Sequence, residues 1–257
     1  MPDQFSRTAL QFGADAMERL FSSKVAIFGI GGVGGYAAEA LARTGVGAID
    51  LFDDDKICLT NINRQIIATH RTVGKYKADV MRERILDINP KAQVGAFKMF
   101  YLPSVSDDAD LSVYDYIIDA VDTITAKIEL VTRALACGSP VISAMGAANK
   151  LDPSAFEVAD IYETSVCPMA KVMRKELRKR GVRRLKTVYS KEPASKPLEE
   201  GANSCSEGCV CPPGVMRTCL DRRSVPASNA FTPPVMGFIL AGEVIKDIAF
   251  GKEDSAK

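Results

Sequence analysis

The side chains best suited to chemistry in this 257-residue chain fall into a few short clusters. The first is Gly29-Ile30-Gly31-Gly32-Val33-Gly34-Gly35, directly after an apolar run at 25–28. Gly29, Gly31 and Gly34 have the spacing that lets a backbone turn approach phosphates at the N-terminus of a helix, with Gly32 in the same turn. A second apolar run ends in Asp53-Asp54-Asp55. Asp53 stands where an acid at the end of the next strand binds a ribose hydroxyl. These features imply a nucleotide without choosing among NAD, FAD and ATP. The plain alternative is a tight turn with no ligand.

The choice comes from Asn61-Ile62-Asn63-Arg64-Gln65 and from Lys77. Arg64 is a planar, permanently charged fork suited to phosphate oxygens. Lys77, at the start of a helical pattern, is a second cation. Two cations with amide donors suit charge developing on a departing pyrophosphate, which an intact dinucleotide never releases. Singly, each has an ordinary alternative: a surface ion pair for Arg64, a solvated helix face for Lys77. Asp119-Ala120-Val121-Asp122 closes another apolar run. A carboxylate there can line the nucleotide or hold Mg²⁺, and Asp122 is the stronger metal candidate. The alternative is that either acid caps the following helix.

These residues need a scaffold of alternating strands and helices. Residues 25–28, 49–52, Tyr116–Asp119 and Val141–Ala144 read as short buried strands. Between them, 33–44, Lys77–Ile88 and 127–136 carry apolar residues at helical spacing. The order implies an α/β fold with a doubly wound, mostly parallel Rossmann-like sheet. We expect one domain over 1–257, with a nucleotide-binding core at 1–150 and a substrate-binding and dimerisation portion at 151–257. Residues 156–161 read as a further strand, 191–234 as a long irregular crossover and 235–250 as a final helix.

Composition narrows the classes. Net charge is +1, so nucleic-acid affinity has to come from a local patch. No apolar run is long enough for a membrane span, and no secretory leader pattern opens the chain, so a cytoplasmic location is expected. Seven Cys, three of them scattered, argue against a secreted disulfide framework. A patch does exist: Lys171, Arg174, Lys175, Arg178, Lys179, Arg183 and Arg184 make a cationic segment suited to an RNA backbone, or else a solvated helix face. Cys205, Cys209, Cys211 and Cys219 can form a four-thiolate zinc site, act as free or redox-active thiols in sulfur relay, or have no special role.

The glycine turn, Asp53–Asp55, the 61–65 segment, Lys77 and Asp119–Asp122, in this order and spacing, resemble the ThiF/MoeB/HesA superfamily of ubiquitin-activating-enzyme-like adenylating proteins. The resemblance spans nearly the whole chain and includes Phe231-Thr232-Pro233-Pro234 before the last helix. It implies ATP and Mg²⁺, activation of a carboxylate as an acyl-adenylate, and a homodimer. It implies Asp55 as the ribose acid with Asp53 beside it, and Asn61 or Asn63, Arg64, Gln65 and Lys77 along the phosphates. Asp122 would hold the metal, and Arg7 would reach the partner subunit's nucleotide. Gly35 and Thr123 depart from the Ser and Asn common in the family. The chain lacks Cys-x-x-Cys pairs typical of sulfur-carrier activators, and segments at 152–154, 159–162 and 188–192 resemble the branch that dehydrates N6-threonylcarbamoyladenosine in tRNA to its cyclic form. The alternatives are adenylation of a ubiquitin-like sulfur carrier and a relay adaptor working with a cysteine desulfurase or another sulfur-transfer partner.

Overall fold

A computed structural model describes residues 3–102, 109–196 and 226–251. Its strands are β1 (Lys24–Phe28), β2 (Ala48–Phe52), β3 (Gln93–Phe97), β4 (Tyr116–Asp119), β5 (Val141–Ala144), β6 (Phe156–Asp160) and β7 (Lys186–Ser190). The helices are α1 (Ser6–Phe12), α2 (Ala14–Ser22), α3 (Gly34–Thr44), α4 (Lys77–Ile88), α5 (Ile124–Ala136), α6 (Pro168–Lys179) and α7 (Thr232–Phe250). The strands form one seven-stranded sheet in the order β3-β2-β1-β4-β5-β7-β6, parallel except for the β6–β7 pair. The chain winds outward from β1 in one direction and resumes on its other side with β4. The carboxyl ends of β1 and β4 therefore flank the switch in strand order, the place where open sheets of this kind bind ligands.

Alternation along the strands divides the core. Val25 and Ile27 of β1, Ile49 and Leu51 of β2 and Ile118 of β4 face a layer that includes α2, α3, α4 and α7. Ala26, Phe28, Phe52 and Ile117 face α5 and α6 on the other side. No helix among the described residues is long and apolar enough to cross a membrane.

The apolar runs at 25–28 and 49–52 are strands, and the Lys77–Ile88 and Val141–Ala144 boundaries agree with the periodicity. β3 and β7 are additional. β3 is an edge strand whose residues are at most half-buried, so it carries no apolar run. β7 uses the end of the cationic segment: α6 stops at Lys179, Gly181 adopts φ +73°, and Lys186 enters the sheet paired with Glu243 and Asp247. The portion after residue 150 thus completes the same sheet. α7 begins at Thr232, three residues earlier than its apolar pattern, because prolines are tolerated in a helix's first turn.

One buried polar tie holds α3 to α4. Glu39, 4% exposed, accepts from Arg84 Nε at 2.6 Å and from Arg43 Nε at 2.7 Å. Burial alone would raise its carboxyl, but hydrogen bonds and charge from Arg84 and Arg43 outweigh it and hold the pKa below the ordinary 4.5. An acid lowered by folding contributes stability that is present above its unfolded pKa and is lost as pH falls through the folded value. Glu39→Gln is therefore expected to lower stability by about 1–3 kcal/mol near neutral pH, a range discounted for the exposed Arg43. The difference from wild type should shrink below about pH 4.5, and urea unfolding across that range measures it.

Candidate active site

The glycine turn links β1 to α3 and requires its glycines for different reasons. Gly29 has φ +90°, and a Cβ there would meet Ala120 O at 2.7 Å. A Cβ on Gly34 would lie 1.8 Å from Gly29 O. Over Gly31 the space is open, with only Gln65 Nε2, at 3.9 Å, within reach of a Cβ. Pro233 and Arg64 close over Gly32, at 3.2 and 3.3 Å from its would-be Cβ. The last helix and the 61–65 segment are thereby brought to the turn.

Asp53 is buried and anchors this turn: Oδ2 accepts from Ile30 N at 2.6 Å and Oδ1 from Asp55 N at 2.9 Å. Lys77, at the first position of α4, is also buried. Its ammonium contacts Asp55 at 2.5 Å and Asp53 at 3.7 Å. Burial would lower its pKa, but Asp53, Asp55 and, less strongly, Asp122 reverse this and raise it. Lys77 is thus held as a cation at neutral pH. The carboxylate oxygens of Asp53, Asp54 and Asp55 lie within 4.8 Å of one another, but the Lys77 ammonium already sits among these acids.

The 61–65 segment follows a short 3₁₀ turn, Leu59–Asn61. Asn61 is buried and its Oδ1 accepts from Cys58 N at 3.0 Å, which closes that turn. Arg64 Nη1 donates to Thr60 O at 3.1 Å and to Asn63 Oδ1 at 2.9 Å. Asn63 Nδ2 donates to Ser228 O at 3.0 Å, tying the segment to the approach to α7. Gln65 is buried, and its Oε1 has no partner among the described residues. A buried acceptor without a donor is costly, and a nucleotide hydroxyl can supply one.

Asp119, expected to line the nucleotide, is 0% exposed and engaged within the protein. Oδ2 accepts from Lys127 Nζ at 2.9 Å and from Ser143 Oγ at 2.5 Å. Thr123 holds the N-cap position of α5. Asp122 is exposed at the carboxyl end of β4, close enough to Lys77 to contribute to its charge. A single hard carboxylate beside a phosphate site suits Mg²⁺, which retains water and takes further oxygens from phosphates.

Other predicted residues lie apart from this cluster. Arg7 is exposed on α1. In the cationic segment Lys171, Lys175, Arg178, Lys179, Arg183 and Arg184 are exposed. Arg174 departs from the expectation of a solvent-facing cation: it is half-buried and donates to Thr164 O at 2.8 Å. Arg178 lies over the Tyr162 ring at 5.2 Å, and Lys179 pairs with Glu176. Cys205, Cys209, Cys211 and Cys219 lie outside the described residues. A cleft of about 300 Å³ lined by Arg19, Asp115, Tyr116 and Asp247 contains none of the residues named for the site.

Lys127 and Ser143 were not apparent from sequence, although a Lys eight residues after the acid that ends a strand is a readable signal. Asn149, with φ +60°, is the other omission. Its backbone and side chain bond Ala227 and its carbonyl accepts from Ser195 N, so one residue holds both flanks of the crossover segment.

Residues 5–256 match the ThiF family. The chain is 43% identical over 249 residues to tRNA threonylcarbamoyladenosine dehydratase of Bacillus subtilis (strain 168), covering 96% of this chain and 95% of that protein. It is 39% identical over 175 residues to the Escherichia coli (strain K12) protein of the same name, covering 68% of this chain and 65% of that one. The crystal structure of E. coli tRNA N6-threonylcarbamoyladenosine dehydratase, TcdA, in complex with AMP superimposes with a TM-score of 0.82 at 30% identity, covering 95% and 93% of the two chains. The complex with ATP gives 0.79 at 30% identity over the same shares.

Proposed function

Because the chain belongs to the ThiF family, we propose that it is an ATP-dependent enzyme that dehydrates N6-threonylcarbamoyladenosine in tRNA to its cyclic form. The observation that carries this reading is the 43% identity, along nearly the full length of both chains, to a protein named for that activity. The open space over Gly31 and the unpartnered oxygen of Gln65 fit a nucleotide. Lys77 and Arg64 fit its phosphates, and Asp122 fits Mg²⁺.

The threonyl carboxylate is a poor electrophile. Transfer of AMP from ATP to one carboxylate oxygen, with loss of pyrophosphate, gives it a leaving group. The neighbouring ureido group then attacks the same carbonyl carbon, loses a proton and expels AMP together with that oxygen. Both reacting groups belong to one molecule, so the ring closure gains a large effective concentration and needs no protein nucleophile. Lys77, held charged by Asp53 and Asp55, and Arg64 stabilise negative charge on the departing pyrophosphate. The glycine turn offers backbone N–H groups and the N-terminus of α3 to the phosphates. Asp122 would hold Mg²⁺, which would supply Lewis-acid polarisation of the phosphates.

Two further assignments belong to this reading. The first is a homodimer in which Arg7 reaches the other subunit's site. Support comes from α1, which buries none of its residues and leaves Leu10 89% exposed beside Arg7. The second is tRNA binding along the exposed cations of α6 and the turn after it. Replacing Lys175, Arg183 and Arg184 with Gln is expected to weaken tRNA binding and to make the log–log salt slope shallower by about 1 for each phosphate no longer neutralised. Filter binding over a salt series checks this.

The reading is tested with the protein, ATP, Mg²⁺ and threonylcarbamoylated tRNA, followed by mass spectrometry of the nucleosides. Loss of one water from the modified adenosine, with AMP and pyrophosphate formed, is expected. AMP formed only on addition of a small ubiquitin-like carrier, with no cyclic nucleoside, would replace this reading with carrier activation.

A further inference from the structure

We propose that Lys127, Asp119 and Ser143 form a buried positioning node for the nucleotide cradle. All three are 0% exposed. They come from α5, the end of β4 and β5, and meet at one carboxylate, where Lys127 Nζ donates at 2.9 Å and Ser143 Oγ at 2.5 Å. The other oxygen of Asp119 accepts from Val121 N at 3.3 Å, within the turn that leads to Asp122. That turn is the floor of the glycine loop. Ala120 N donates to Phe28 O at 2.8 Å, and Ala120 O and Val121 N lie 2.7 and 3.0 Å from a would-be Cβ on Gly29. The methyl of Ala120 lies 3.2 Å from the same point on Gly34. A shift of the 120–122 turn therefore moves both the surface under the glycines and the Asp122 carboxylate.

A buried ion pair is a poor means of gaining stability, since apolar side chains of similar size often do as well or better. Its hydrogen bonds, however, have direction, and apolar packing has none. Here the pair and Ser143 fix the rotation of Asp119, and Asp119 fixes the peptide at Val121. Lys127 and Ser143 are positioning residues in this scheme, acting on the nucleotide through Asp119 and the turn. The inference rests on the glycine loop being an ATP cradle.

The discriminating variant is the Asp119→Leu, Lys127→Met double replacement, which removes both charges and the acceptor for Val121 N together. Its MgATP affinity is read by calorimetry and its unfolding midpoint by heat. The node predicts a protein that still folds, with a midpoint lowered by the Ser143 hydroxyl and Val121 N–H left without their acceptor, and a Kd for MgATP raised about 10-fold. Ser143→Ala, which removes one donor, is a second variant suited to the case in which the double replacement does not fold. It should raise that Kd about 3-fold with little change in midpoint. Wild-type affinity in either folded variant would overturn the node while leaving the ATP reading intact. Wild-type protein that binds no MgATP would overturn the cradle itself, and the node with it.

Discussion

Replacing Lys77 with Met is expected to lower ATP-dependent AMP formation by about 10²–10³-fold and to cost about 3–5 kcal/mol of stability. The two effects have separate origins. The first is loss of the charge offered to the departing pyrophosphate. The second is Asp53, which is buried, holds the glycine turn through Ile30 N and is left without its cation. A Lys77→Met, Asp53→Asn double variant should recover part of the stability and none of the rate. Lys77 is raised by folding from an ordinary 10.5, so its contribution is full below that value and is lost as pH rises through the folded pKa. The gap between wild type and Lys77→Met should therefore close in strong alkali, and it should narrow in acid as well, because burial already raises the Asp53 carboxyl and its protonation removes the unpaired charge. Urea unfolding and pyrophosphate exchange measure the two halves. A variant with normal exchange would remove Lys77 from the chemistry.

Gly34→Ala is expected to cost more than about 4 kcal/mol, at the extreme of single-substitution effects. The added methyl would be placed 1.8 Å from Gly29 O, a backbone atom that cannot rotate away. Gly29 is itself confined between Ala120 and Phe52 O, which accepts its N–H at 2.8 Å. Gly31→Ala is the contrasting case, since its nearest neighbour is a side-chain nitrogen at 3.9 Å. It should fold with ordinary stability and lose about 10-fold in ATP affinity, because the methyl occupies space a phosphate would use. Thermal unfolding and calorimetry on the pair separate the fold's need for glycine from the ligand's. A Gly34→Ala protein with wild-type midpoint would contradict the close approach.

The parallel core was legible because β1, β2, β4 and β5 are buried and mostly apolar, while α4 opens at Lys77 and ends before Asn89-Pro90. β3 was not, because an edge strand such as Gln93–Phe97 is only partly buried and lacks such a run. β7 was obscured by its position between a cationic stretch and an irregular one, and its identity depends on the neighbours it joins. At the site, residue types with unambiguous chemistry were visible: glycines at fixed spacing, Arg64, Lys77. The division of labour among the acids was not. Asp53, Asp55, Asp119 and Asp122 look alike in sequence, and only burial and partners separate an anchor, a lysine's counter-ion, a buried node and an exposed carboxylate. The same holds for the cations, where Arg174 turns inward and Lys175 does not.

The central claim is that the threonyl carboxylate is activated as an adenylate, and its oxygen reports directly on that. Threonylcarbamoylated tRNA is prepared with ¹⁸O in the carboxylate and incubated with the protein, ATP and Mg²⁺, and the AMP is analysed by mass spectrometry. Activation at the carboxylate predicts AMP that carries one labelled oxygen for each molecule cyclised. Cyclic nucleoside formed alongside unlabelled AMP, with the label released into water, would contradict it.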